Sequence, residues 1–226
     1  MKTFNELQEG LQDPNIFKAF FLAGGPGSGK SHVVRYTTGG TGLRVVNSDD
    51  VFEGYLKAAG MSMKMGSEDP RRDKLRSKAK KTVAGRKANY IEGRIGLVID
   101  GTGKDYDKIR AQKAELESLG YDTHMIYVNT SIEVALERNA KRDRTVPEDA
   151  AILAWKAVQS NIGKFSSLFK GTMVIVDNNK PDEEMEMATF KEIKRLLGKK
   201  VRNTRAKQWI EMEMKLRGIT KKPKGW

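Results

Sequence analysis

The stretch Gly24–Ser31, GGPGSGKS, follows the apolar run Ala19–Ala23 and precedes a helix-compatible segment, His32–Tyr36. It fits the pattern G-x-x-x-x-G-K-[ST], with Gly24, Gly29, Lys30 and Ser31 at its fixed positions and Gly25, Pro26, Gly27 and Ser28 between them. A glycine-rich turn can curl its backbone N–H groups around phosphate oxygens, and the following helix N-terminus adds a favourable dipole. On that reading Lys30 reaches the β- and γ-phosphates of a nucleoside triphosphate, and the Ser31 hydroxyl ligates magnesium. A strand ending in such a loop and feeding a helix constrains the fold, because it starts an alternation of strands and helices.

The alternation continues. Apolar runs predict strands over 18–23, 43–47, 96–100, 123–129 and 172–176. Helical patterns fall between them at about 51–59, 70–94, 106–119 and 132–143. In residues 147–169, Ile152, Trp155, Val158, Ile162, Phe165 and Phe169 recur at three- and four-residue spacing, predicting one helix with an inward face. Pro147 with Glu148 and Asp149 marks its start. Leu7, Leu11, Ile16 and Phe17 can pad the sheet edge, and the methionines of 60–66 read as loop padding. The expected architecture is α/β: a doubly wound, five-stranded parallel sheet of the P-loop NTPase/kinase type with a basic C-terminal helical tail. The division expected is a catalytic domain over 1–198 and a basic helix and flexible end over 199–226.

Charge narrows the partners. The 226 residues carry a formal net charge of +13 and no cysteine. The first points to a polyanion such as nucleic acid, and the second excludes disulfides and thiolate metal sites. Two segments concentrate the charge. Residues 70–94 hold ten basic side chains against Asp73 and Glu92, and residues 191–226 hold thirteen against Glu192, Glu211 and Glu213. In the latter, Trp209 and Ile210 suggest a helix with one apolar face, and residues 221–226 a flexible basic end. With no apolar run long enough to cross a bilayer and no signal-peptide core, the expectation is a cytoplasmic protein without membrane contact.

In an open parallel sheet, ligands sit beyond the carboxyl ends of the strands. Those positions hold Asp49 and Asp50 after the second strand, Asp100 and Thr102 after the third, and Arg138, Arg142 and Arg144 after the fourth. A carboxylate can take the proton of an acceptor hydroxyl while cations neutralise the transferring phosphoryl group. Asp49 is the first choice for that base and Asp50 the second, with one of the pair expected to cap the helix from Val51. Asp100 is expected to hold magnesium through water. Arg138 and Arg142, four apart, are expected on one helix face. Neither His32, read as helix surface, nor His124, read as a strand residue, carries a role.

GGPGSGKS, VNSDD, LVIDGTG and ERNAKRDRTVPEDA together resemble the kinase domain of phage-type polynucleotide 5′-kinases, and more distantly zeta-toxin-like kinases, over roughly residues 18–178. The resemblance implies ATP and magnesium at Lys30 and Ser31, Asp49 as general base on a 5′-hydroxyl, and Asp100 as organiser of the site. It makes Arg138 and Arg142 lid arginines, with Arg142 the phosphoryl clamp. The sequence departs from that pattern where Val51-Phe52-Glu53 replaces an arginine that grips the acceptor phosphate. It also departs where Arg144 adds a nucleotide-side cation, and where no DxDGT-like phosphatase segment follows, so any end-healing is expected to need a separate phosphatase.

Three functions follow as expectations. The first is an ATP- and magnesium-dependent kinase acting on the 5′-hydroxyl of a nucleic acid, held through residues 71–94 and 199–226. The alternative is a kinase of a nucleoside, nucleotide or sugar nucleotide. The third is an ATP-hydrolysing nucleic-acid-binding protein without an acceptor.

Overall fold

A computed structural model of the chain describes residues 9–63, 69–142 and 144–220. Five strands, β1 (Lys18–Ala23), β2 (Arg44–Val46), β3 (Leu97–Asp100), β4 (Asp122–Asn129) and β5 (Met173–Asp177), pair in the order β2-β3-β1-β4-β5, and every pairing is parallel. β1 lies centrally and is buried on both faces. Side chains alternate along it with the strand period of two. Ala19, Phe21 and Ala23 enter one apolar cluster with Leu97, Ile99, Met125 and Tyr127. Phe20 and Leu22 enter the opposite cluster with Val98, Ile126 and Val128. Continuous apolar runs in the sequence are thus two interleaved half-patterns, as a sheet covered on both faces requires.

The helices in chain order are α1 (Glu9–Gln12), α2 (Lys30–Thr38), α3 (Ser48–Ala58), α4 (Arg71–Glu92), α5 (Tyr106–Ser118), α6 (Ile132–Ala140), α7 (Glu148–Ser160), α8 (Ile162–Leu168), α9 (Glu183–Leu197) and α10 (Thr204–Leu216). α2 and α9 cover one face through Val33, Val34, Ile193, Leu196 and Leu197. The other face is covered by α5, α8 and α10, with Ile109, Leu116, Phe165, Ala206, Ile210 and Met214 buried. α3 and α4 form a separate flap over the end of β2, closed by Phe52, Leu56 and Ala79, with Met61 and Met63 packed against them. Among the described residues no helix is long and apolar enough to cross a membrane.

The helix expected over 147–169 is two helices. Asn161 breaks it: its side-chain amide donates to the carbonyls of Gly103 and Lys104 at 3.1 Å each, tying the junction to the loop after β3. The helix expected to run to about 143 stops at Ala140, so Arg142 lies beyond it rather than on one face with Arg138. α9 carries a strong amphipathic pattern, capped by the Asp182 side chain on the Met185 N–H, although the sequence reading assigned it no helix. Leu7, Lys64–Glu68, Asp143 and the expected flexible end at 221–226 lie outside the described residues.

α10 does more than carry charge. The rings of Trp209 and Phe17 meet edge-on at 5.4 Å, and the Arg94 guanidinium sits over both. Phe17 and Arg94 are non-glycine residues with φ of 57°, a costly conformation that tight surroundings must hold. The Phe17 N–H bonds to the Arg94 carbonyl at 3.0 Å, so α10 buttresses the turn that delivers β1. Residues 199–220 therefore share the core of the preceding chain.

His124, in β4, is 3 % exposed, stacks on Phe20 at 4.7 Å between centroids, and has its pKa pushed down to about 3 by burial and then by the Lys18 charge. The unfolded chain binds a proton there below about pH 6.5, and the folded chain does not. Stability is therefore lost as the pH falls below that value. Relative to pH 8, the unfolding free energy at pH 5 is expected to be about 2 kcal/mol lower in the native chain than in His124→Phe, measured by denaturant titration at both pH values.

Candidate active site

The loop after β1 is built so tightly that its glycines are obligatory. A side chain at Gly27, where φ is 75°, would place its Cβ 1.9 Å from the Ala135 carbonyl oxygen of α6. One at Gly29, φ 84°, would meet the Asn178 side-chain nitrogen at 2.3 Å. That nitrogen donates to the Ser28 carbonyl at 2.7 Å, so the residue leaving β5 braces the loop from behind. The Gly24 N–H donates to the Thr102 carbonyl at 2.9 Å and ties the front of the loop to the exit of β3. Trp155 of α7 roofs Gly25 and donates its indole N–H to the Thr130 carbonyl at 2.9 Å.

α2 starts at Lys30, whose ammonium donates to the carbonyls of Gly24 and Gly25 at 2.6 and 3.1 Å. Burial lowers its pKa, opposed by the negative charge of Asp100. Asp100 ends β3 and is the complementary case. Burial raises its carboxyl to about 6 despite Lys30, with Asp50 and Asp49 adding to the rise. Gly25, Gly27, Gly29, Lys30, Ser31, Asp49, Asp50, Asp100, Arg138, Arg142 and Arg144 line one cleft of about 400 Å³ over the carboxyl edge of the sheet. Pro26 and Ser28 belong to the loop outside this lining; Ser28 is 1 % exposed, and its hydroxyl has no partner among the described residues.

The acidic side of the cleft is organised by Asn47, which sequence reasoning missed. Its side-chain oxygen accepts from the Asp49 N–H at 2.8 Å, capping α3, and its amide donates to Asp100 at 2.8 Å and Asp50 at 3.0 Å. The expectation that Asp49 or Asp50 caps this helix is therefore corrected. α3 starts three residues earlier than Val51, so both aspartates fall inside its first turn, favourably placed by the helix dipole. Asn47 was legible only as a polar residue at a strand end, the position where caps concentrate.

The three arginines have distinct roles in the packing. Arg138 is spent on structure: its guanidinium donates to the carbonyls of Asn178 and Asn179 at 2.7 and 3.2 Å. Arg144, with a side chain 11 % exposed, bonds Asp49 and Glu53 at 3.2 Å each and lies over the Phe52 ring. Arg142 is exposed and lines the cleft; its side chain makes no hydrogen bond or ion pair among the described residues, while its charge reaches Lys30. The expected clamp is thus the cation left available, and Arg144 stands on the acids rather than on the phosphate loop.

The cleft suits a magnesium-bound nucleoside triphosphate. The loop presents N–H groups at a helix start, Ser31 and Asp100 are oxygen donors on its floor, and Lys30 and Arg142 bring positive charge. No group of three or more His, Cys, Asp or Glu side chains suited to a metal occurs among the described residues. A cation held by Ser31 and Asp100 together with nucleotide oxygens fits that donor set.

No curated protein matches the chain. Among solved structures, a protein of the PezAT chromosomal toxin–antitoxin system of Streptococcus pneumoniae aligns with a TM-score of 0.57 at 17% identity, over 86% of this chain and 92% of that one. A kinase-described protein from Chloroflexus aurantiacus aligns with a TM-score of 0.54 at 14% identity, over 80% and 98%. A chain of the Pnkp1/Rnl/Hen1 RNA repair complex aligns with a TM-score of 0.52 at 20% identity, over 67% of this chain and 47% of that one. These likenesses agree with the P-loop kinase fold of the sheet and loop. Residues 5–185 match the Zeta toxin family, and the chain therefore belongs to that family of P-loop, kinase-like proteins.

Proposed function

We propose that the chain is an ATP- and magnesium-dependent kinase that moves the γ-phosphate to a hydroxyl, the best supported acceptor being the 5′ end of a nucleic acid. The observation that carries this reading is the facing of two unlike walls across one cleft. Loop, Lys30 and Arg142 make a phosphate-binding wall, and the α3 acids make a proton-accepting wall.

In the transfer, the Asp49 carboxylate accepts the acceptor's hydroxyl proton as its oxygen bonds to the γ-phosphorus and the bridging bond to the β-phosphate breaks. Lys30 leaves the loop carbonyls for the phosphate oxygens, and Arg142 offsets charge on the transferring group. Bound magnesium, held through Ser31 and Asp100, supplies further charge neutralisation. Arg144 has two anionic claims on it, the Asp49–Glu53 pair and the incoming phosphates. Asp49 is freed as a base when Arg144 turns to the nucleotide. Asp50 stays tied to Asn47 beside Asp100, which favours Asp49 over it as the base.

The nucleic-acid acceptor rests on α4, which packs against α3 beside the acids. Lys74, Lys78 and Lys81 are exposed there at helical spacing, and Arg76 reaches over the Phe52 ring at 4.9 Å. Arg72 belongs to the packing instead: it is 7 % exposed and bonded to the Ser62 carbonyl. The basic residues Lys199 and Arg202 stand at the opposite sheet edge and add nothing to this cleft.

A second reading, a small acceptor such as a nucleoside, nucleotide or sugar nucleotide, is favoured by the family match across residues 5–185. A transfer assay with γ-labelled ATP decides between them. Label is expected on a 5′-hydroxyl oligonucleotide and not on nucleosides, nucleoside monophosphates or UDP-sugars. Label on small acceptors alone selects the second reading, and phosphate release with no labelled acceptor selects a nucleotide hydrolase. Asp49→Asn is expected to cut transfer by about 10²- to 10⁴-fold while ATP affinity, read by calorimetry, holds. Replacing Lys74, Lys78 and Lys81 together with Gln should weaken oligonucleotide binding and lower its log–log salt slope by up to about 3, with ATP binding untouched.

A further inference from the structure

A second cavity, of about 470 Å³, opens at the amino edge of the sheet, away from the phosphate loop. β1 separates the two sites by its six residues, roughly 20 Å at strand rise. Lys18 and Asp122, the first residues of β1 and β4, face each other in register and form a buried ion pair at 2.9 Å, with the Lys18 side chain 2 % exposed.

The carboxylates lining this cavity are already taken. Asp122 accepts from Lys18 and from the Arg202 N–H at 3.0 Å. Glu117 accepts from Lys113 and from the Thr123 hydroxyl at 2.6 Å each. Three further cations line the cavity, Lys170, Lys199 and Arg202, and the side chain of none makes an ion pair within 4 Å among the described residues. At the back stands His124, 3 % exposed, with neither ring nitrogen hydrogen-bonded among the described residues. A buried polar ring without partners is costly, and unpaired cations around a concavity favour an anion.

We propose that this cavity is a binding site for a small phosphorylated organic anion, with the phosphate held by Lys199, Arg202 and Lys170 beside His124. The volume is in the range of small-ligand pockets and exceeds what one phosphate group fills. The site is independent of the kinase reading, since it shares no residue with the other cleft.

The chain has two histidines, and they report on opposite ends. His32 follows Ser31 at the phosphate loop, and His124 lines the second cavity. Histidine-selective NMR during titration with inorganic pyrophosphate reads both sites at once, with His32→Gln to assign the signals. The expected result is a saturable shift of His124, absent with sodium chloride at matched ionic strength. In Lys199→Gln/Arg202→Gln, its midpoint should rise at least tenfold, while the His32 response and the circular dichroism spectrum stay unchanged. A response of His32 alone overturns the proposal. So does a His124 shift that follows chloride or is equal in the variant. A shift produced by an oligonucleotide but not by pyrophosphate also overturns it, and makes this edge a nucleic-acid contact instead.

Discussion

A strand buried on both faces has no room for polar side chains along its length, and β1 is such a strand at the centre of the sheet. Charge and hydrogen-bonding capacity are therefore driven to strand ends. At the carboxyl end the chain turns through Gly24–Gly29, and the close approaches of Ala135 and Asn178 leave that turn a single course. Everything the phosphate loop can do follows from being pressed between α6, the exit of β5 and the exit of β3. At the amino end the same exclusion gathers Lys18, Asp122 and His124 into a polar cluster under the sheet.

What was legible in the sequence was what periodicity and fixed spacing carry. The five strands, their parallel pairing and the glycine-rich turn after the first of them express local pattern, and the structure bears them out. What was not legible depended on contacts between distant segments. The break at Asn161 is marked in the sequence only by two weak helix formers, Asn161 and Gly163; it is fixed by that amide reaching the carbonyls of Gly103 and Lys104, far away in sequence. Asn47 displaced the aspartates as the cap because α3 begins nearer β2 than its apolar pattern suggests. The apolar face of α10 was legible at Trp209 and Ile210, but its packing on Phe17 and Arg94 was not, because those partners lie far away in sequence.

The same limit applies to the site. Sequence position grouped Arg138, Arg142 and Arg144 as one set of cations, yet each meets a different demand. Carbonyls at the exit of β5 hold Arg138, carboxylates of α3 hold Arg144, and Arg142 is uncommitted among the described residues. Arg138, which also lines the cleft, ties α6 to the exit of β5 through those carbonyls.

Arg144 couples the two walls of the cleft. It bonds Asp49 and Glu53 on the flap formed by α3 and α4, while its own backbone belongs to the segment joining α6 to α7 above the loop. Asp49 is 62 % exposed at this contact, so its hold on Arg144 faces solvent and is open to competition from another anion. A triphosphate bearing several negative charges competes for the same guanidinium with a bidentate geometry that carboxylates on separate side chains do not offer. Exchange of Arg144 from acids to phosphate would unmask Asp49 when a donor is present and leave it paired when none is. In the proposed reaction that ordering would keep the base from standing free beside water, because one arginine is shared between two anionic surfaces.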